Sequence, residues 1–167
     1  MEQNVDKIFE AIQQKMGFVP NVLKEMSKSK AALNFYLSGS EILEQSSLTP
    51  AQLQAVMLAA SVFNECKYCT TAHSAGAKKA GISEEDIERM KRGALPQSPE
   101  LKGVVRALHL LVEQRGWLTN DHLKALEEEG VNREKLYEVI CTLALKFVTN
   151  YINHIAHTEI DKEFLES

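Results

Sequence analysis

Three short stretches of this chain carry the grammar of a helix start, and nothing between them reads as a strand. Thr49-Pro50-Ala51-Gln52 offers a capping hydroxyl, a proline for the first turn and a glutamine three residues after the cap. Ser83-Glu84-Glu85-Asp86 and Ser98-Pro99-Glu100 repeat the signal, and Thr119 and Asn132 are expected to cap helices near 120–129 and 133–150. Apolar residues fall at helical spacing: Val5, Ile8, Phe9 and Ile12 ahead of Gly17, then Leu53, Val56, Met57 and Ala60. Further helices are expected at about 21–27 and 30–45, and one after Cys66 that stops at Gly81. The turn-rich segment GALPQSP, 93–99, is the best place for a hinge. The chain is therefore expected to be all-α, a single compact domain over 1–167.

Charge narrows the partners. The formal net charge is −4 and no dense Lys/Arg block occurs, which argues against nucleic acid or an anionic membrane. No apolar run approaches the ~20 residues that span a bilayer, so a soluble, cytoplasmic protein is expected. Three cysteines are too few and too uneven for a secreted disulfide framework. Cys141, inside the apolar run VICTLALKFV, reads as core.

The other two cysteines lie in NECKYCTTAH, with a histidine four places after the second. On a helix, steps of three and four put Cys66, Cys69 and His73 on one stripe. If Asn64-Glu65 begins that helix, Cys66 sits in its first turn, where free N–H groups favour a thiolate. Lys67 adds a little positive potential from off the stripe. His73 can take the Cys69 proton or stabilise the thiolate as imidazolium. A close dithiol can exchange with disulfides or turn a peroxide-derived sulfenic acid into a disulfide. Spacing favours redox chemistry and leaves three alternatives open: a metal site, plain core packing and a hydrolytic nucleophile. A metal would need a fourth ligand, for which His154 and His157 are available, but there is no second CxxC. No GxSxG elbow and no glycine-rich phosphate loop accompany the pair, so no cofactor is expected.

The stretch LTPAQLQAVMLAASVFNECKYCTTAHSAGAKKAGIS resembles the core of AhpD-like alkylhydroperoxidases, in the carboxymuconolactone decarboxylase superfamily. GFVPNVLKEMSKSKAALNFY is similar to their helical lead-in, and FVTNYINHIAHTEID to the closing segment of one branch. The CxxCxxxH core, about 48–81, is the most specific part. The resemblance implies a helical fold assembled as a homotrimer or homohexamer. It also implies a peroxide-reducing dithiol enzyme, with a lipoyl or thioredoxin-like dithiol as electron donor. Cys69 would meet the peroxide, Cys66 would resolve, and His73 would relay protons. The lactone chemistry of the decarboxylase branch, which commonly lacks the cysteine pair, is not carried over. Two positions depart from the family pattern. Gln54 stands where a relay glutamate is common, and glutamine cannot take a proton at neutral pH. Tyr68 stands where some members have histidine. The relay would then be completed by Glu65, His154 or a water. The competing class is a non-enzymatic helical oligomer holding a metal at Cys66, Cys69 and His73; a general disulfide reductase is the other alternative.

Several residues have simpler readings. Gln54 can face solvent; His154 can be structural, His157 and His122 surface, and His109 packed among Leu101, Val105, Leu108 and Val112. Tyr68 can line a pocket or pack, and Trp117 reads as a helix-end anchor or interface residue.

Overall fold

The computed structural model describes residues 5–166, which form ten α-helices and no strand. In chain order these are α1 (Val5–Met16), α2 (Asn21–Met26), α3 (Lys30–Glu44), α4 (Pro50–Phe63) and α5 (Lys67–Lys79). They continue with α6 (Glu84–Lys91), α7 (Pro99–Glu113), α8 (Asn120–Glu128), α9 (Arg133–Ala156) and α10 (Lys162–Leu165). The start expected for α1, at about residue 4, lies outside the described residues.

The capping grammar translates into bonds. Thr49 and Gln52 close a reciprocal capping box on α4. Ser83 accepts from Asp86 N at 3.2 Å, and Asn132 caps α9 by accepting from Lys135 N at 3.0 Å. Ser98 is an exception: α7 starts at Pro99 without a side-chain cap. The expected hinge at 93–99 is pinned instead. Asp86 accepts from Gln97 N at 2.5 Å and Ser98 N at 3.2 Å, and Arg89 Nε donates to Leu95 O at 2.8 Å.

Helix α4 is apolar nearly all round, with Leu53, Ala55, Val56, Leu58 and Ala60 all buried, so it must be enclosed by other helices. It packs against α5, α6, α7 and α9. Val104, Val105, Leu108, Leu126 and Val139 complete this main core. A second, smaller cluster joins Val22, Leu23, Met26 and Leu33 to Cys66, Tyr68 and Cys69. The cysteine pair therefore sits in apolar packing as well as in reach of polar groups.

Helix α9 is longer than expected. It continues past 150 to Ala156 and ends at His157, in the left-handed region with φ +48°. The extension matters because it carries Asn153 to the cysteines. Cys141 contradicts its expectation: it is exposed. It lines a groove of about 530 Å³ between α3 and α9 with Phe35, Ile42, Glu138 and Leu145. An apolar helix with only one face against the core leaves its other apolar residues outside.

Candidate functional site

The site begins at the turn between α4 and α5. Glu65 adopts the left-handed conformation, φ +55°. Its N–H reaches Val62 O at 2.9 Å while Cys66 N reaches Ser61 O at 2.9 Å, the two bonds of a Schellman ending to α4. The chain reverses within three residues, and α5 starts immediately. Cys66 is thus the N-cap of α5 rather than a first-turn residue, its sulfur accepting from Cys69 N at 3.4 Å. The first-turn place belongs to Cys69, three residues in, where the helix dipole favours negative charge.

From the other side comes a polar stripe on α9. Lys146, Thr149, Asn150 and Asn153 share one face at steps of three and four, and all four are buried. Asn153 Nδ2 donates to Cys69 Sγ at 3.2 Å and lies 4.0 Å from Cys66 Sγ. Thr149 Oγ1 lies 3.9 Å from Cys69 Sγ. Asn150 accepts from Asn64 Nδ2 at 2.8 Å, and its own amide nitrogen is buried without a hydrogen-bond partner. Asn153 Oδ1 has no protein partner.

His73, one turn beyond Cys69, does not bond to it directly. Its Nε2 lies 2.7 Å from Lys146 Nζ, and its Nδ1 lies 3.1 Å from Gln54 Oε1. An ammonium can only donate, so Nε2 must accept, and Nδ1 must carry the proton that it gives to Gln54. This fixes a neutral imidazole in one tautomer. Gly76, one turn along α5, permits the arrangement: a Cβ there would come within 2.5 Å of Gln54 Oε1.

The ionisation pattern follows from these contacts. Cys69 is pushed below the ordinary thiol range, first by the hydrogen bond from Cys66, with Lys146 and Asn153 adding to it against the opposing effect of burial. Cys66 moves up, because its proton is shared with Cys69 and burial disfavours a second charge. His73 falls well below the ordinary imidazole value, through burial and then the Lys146 charge. Burial also lowers Lys146, and the nearby sulfurs oppose that. The expected imidazolium at His73 is therefore replaced by an ammonium at Lys146.

Of the residues singled out from sequence, Cys66, Cys69, His73 and Gln54 come together; Gln54 is half-buried rather than solvent-facing. Glu65 and His154 do not join them. The Glu65 side chain is exposed and its contribution is the left-handed turn. His154 is exposed and stacks on Tyr151 at 6.2 Å. Tyr68 packs: its hydroxyl donates to Asp161 Oδ2 at 2.5 Å and accepts from Val22 N at 3.4 Å. Among the described residues no three His, Cys, Asp or Glu side chains converge as metal ligands, and both His73 nitrogens are already engaged. Sequence reasoning missed Lys146, Asn150 and Asn153. Their signal is KFVTNYIN, polar residues at helical spacing inside an apolar helix.

Comparison with known proteins agrees with this architecture. The carboxymuconolactone decarboxylase family model matches residues 31–109. No curated protein sequence matches the chain. Among solved structures, a peroxidase-related protein from a Silicibacter species is 21% identical, with TM-score 0.82 over 95% of this chain and 85% of that one. An AhpD-core peroxidase-related protein from Ralstonia eutropha is 18% identical, with TM-score 0.86 over 96% and 86%. The debrominase Bmp8 is also similar, at 18% identity and TM-score 0.72 over 97% and 90%. Over residues 31–109 the chain is thus similar to the carboxymuconolactone decarboxylase family, and its fold is that of the AhpD core.

Proposed function

We propose that the chain is a dithiol oxidoreductase that reduces peroxides, alkyl hydroperoxides among them, through a Cys66–Cys69 disulfide cycle. The observation that carries this is the division within the pair. Cys69 takes a hydrogen bond from Asn153 Nδ2 at 3.2 Å and is lowered toward the thiolate, whereas Cys66 caps α5 and is raised. The thiolate is the nucleophile, and the protonated neighbour is in place to resolve. Cys69 Sγ attacks the peroxide oxygen, the O–O bond breaks, and the alkoxide departs, leaving a sulfenic acid. Cys66 then attacks that sulfur, forming the disulfide and expelling water. An external dithiol, lipoyl or thioredoxin-like, restores the pair by exchange. Such a cycle suits a reducing compartment such as the cytoplasm.

His73 serves here by position: neutral, and bound at both nitrogens, it orients Lys146 beside the thiolate. Gln54 fixes its tautomer. Peroxide consumption measured with reduced lipoyl, thioredoxin and glutathione as donors tests the reading. Turnover with the dithiol donors, above that with glutathione, is expected. Consumption no faster than that of a free thiol with all three overturns it.

The reading includes a homotrimer or homohexamer, supported by an apolar face left bare. Tyr137, Ile140, Tyr151 and Ile155 of α9 stand exposed, as do Phe35 and Ile42 of α3. Light scattering at micromolar concentration is expected to return at least three times the 18.7 kDa of one chain. The mass of a single chain would contradict it.

A further inference from the structure

We propose that Lys146 is the proton donor to the departing alkoxide, the acid of the peroxidase step. The inference rests on the peroxidase reading above and extends it to a residue on a different helix from the cysteines. Lys146 is 2% exposed, and among the described residues no carboxylate pairs with its ammonium. A buried cation without a counter-charge is costly. The groups that face it are Cys66 at the cap of α5 and Cys69 and His73 within it, with Gln54 behind the imidazole and the Tyr36 phenol of α3 near Cys69. His73 is neutral, and burial holds the Tyr36 proton more tightly than usual. Only the Cys69 thiolate balances the ammonium.

That single pairing couples the proton to the chemistry. When Cys69 gives its electron pair to the peroxide, the negative charge leaves the sulfur and appears on the alkoxide. The ammonium loses its counter-ion at that moment, and the alkoxide needs a proton. Lys146 supplies it. The balance closes without any outside acid: Lys–NH3+, Cys69–S−, Cys66–SH and ROOH give Lys–NH2, the Cys66–Cys69 disulfide, ROH and water. Reduction by an external dithiol returns a proton to the amine and restores the ion pair. A relay glutamate is then dispensable, which accounts for Gln54 at that position.

The test uses the full chain and three electrophiles. Iodoacetamide and peracetic acid release iodide and acetate, which leave without a proton; tert-butyl hydroperoxide releases an alkoxide, which does not. Lys146→Arg keeps a permanent charge but cannot donate at neutral pH. It is expected to react with iodoacetamide and peracetic acid within about threefold of wild type, yet to lose about a hundredfold with the hydroperoxide. Lys146→Met, which lacks the charge too, is expected to slow all three reactions, the hydroperoxide most. The ratio of peracid to hydroperoxide rate within one variant is independent of how much protein folds, so a poorly folded variant still reports. Equal slowing with all three electrophiles in both variants makes Lys146 a source of charge or packing only and overturns the proposal. So does an unchanged hydroperoxide rate in Lys146→Arg. A wild-type protein no faster with peroxide than a free thiol overturns the peroxidase reading and this inference with it, whereas an active wild type with an unaffected Lys146→Arg overturns this inference alone.

Discussion

Cys69→Ser is expected to lose reaction with peroxide by about two orders of magnitude or more, because the nucleophile itself is gone. Cys66→Ser is expected to react once and stop. Its Cys69 still meets peroxide, but no neighbouring thiol remains to expel water, so a sulfenic acid accumulates there. Mass spectrometry after one equivalent of peroxide, with a sulfenic-acid trap present, distinguishes the two variants. The asymmetry has a structural cause. Cys69 takes a hydrogen bond from Asn153 and faces Lys146, whereas Cys66 spends its sulfur as the cap of α5. Cys66→Ser also removes the thiol that lowers Cys69, so its single reaction is expected to be slower than that of wild type. A sulfenic acid trapped on Cys66 in Cys69→Ser would reverse the assignment. Exposure does not separate the cysteines, since Cys66 is 1% and Cys69 2% accessible. As the cap of α5, Cys66 is buried as deeply as its partner.

That burial makes the covering segment important, and Asp161 holds it. The carboxylate accepts from Tyr68 Oη at 2.5 Å and caps α2 by accepting from Asn21 N at 3.1 Å. Pro20, the residue before α2, cannot cap with its own side chain. Phe164 then packs edge-on against Tyr68 at 6.0 Å and Phe18 at 5.3 Å. Asp161→Ala leaves the buried Tyr68 hydroxyl and the α2 N-terminus without their acceptor, a loss of about 2–4 kcal/mol. Because the lost contacts lie over the dithiol, local opening is expected to rise more than global unfolding. Alkylation of Cys66 and Cys69 in the folded protein is expected to accelerate several-fold, with little change in helix content. Unchanged alkylation together with a lowered melting temperature would show that thiol access does not run through this segment.

How much of this was legible depends on how local each cause is. Helix starts are local: Thr49, Ser83, Thr119 and Asn132 all cap as their sequence neighbours imply. The stripe through Cys69 and His73 is local too. One residue of register was lost at Cys66, because a left-handed Glu65 ends α4 where a continuous start for α5 was expected. The Asp161 cap on α2 spans 140 residues and leaves no sequence pattern. Lys146 is intermediate. Its helix reads as an apolar run interrupted by polar residues at 146, 149, 150 and 153. Read by their own period, they mark a buried polar face. Cys141 failed for a related reason: an apolar run reports burial without saying which of two faces the core takes.

Cys66 and Cys69 are proposed to form one peroxide-driven redox couple. Reduced wild-type protein mixed with one equivalent of alkyl hydroperoxide, then blocked with an alkylating agent and digested, tests it most directly. One peptide lighter by two hydrogen atoms is expected, carrying a Cys66–Cys69 disulfide, with Cys141 alkylated and the alcohol formed in equal amount. Unreacted peroxide with both cysteines still reduced, or oxidation confined to the exposed Cys141, would contradict it.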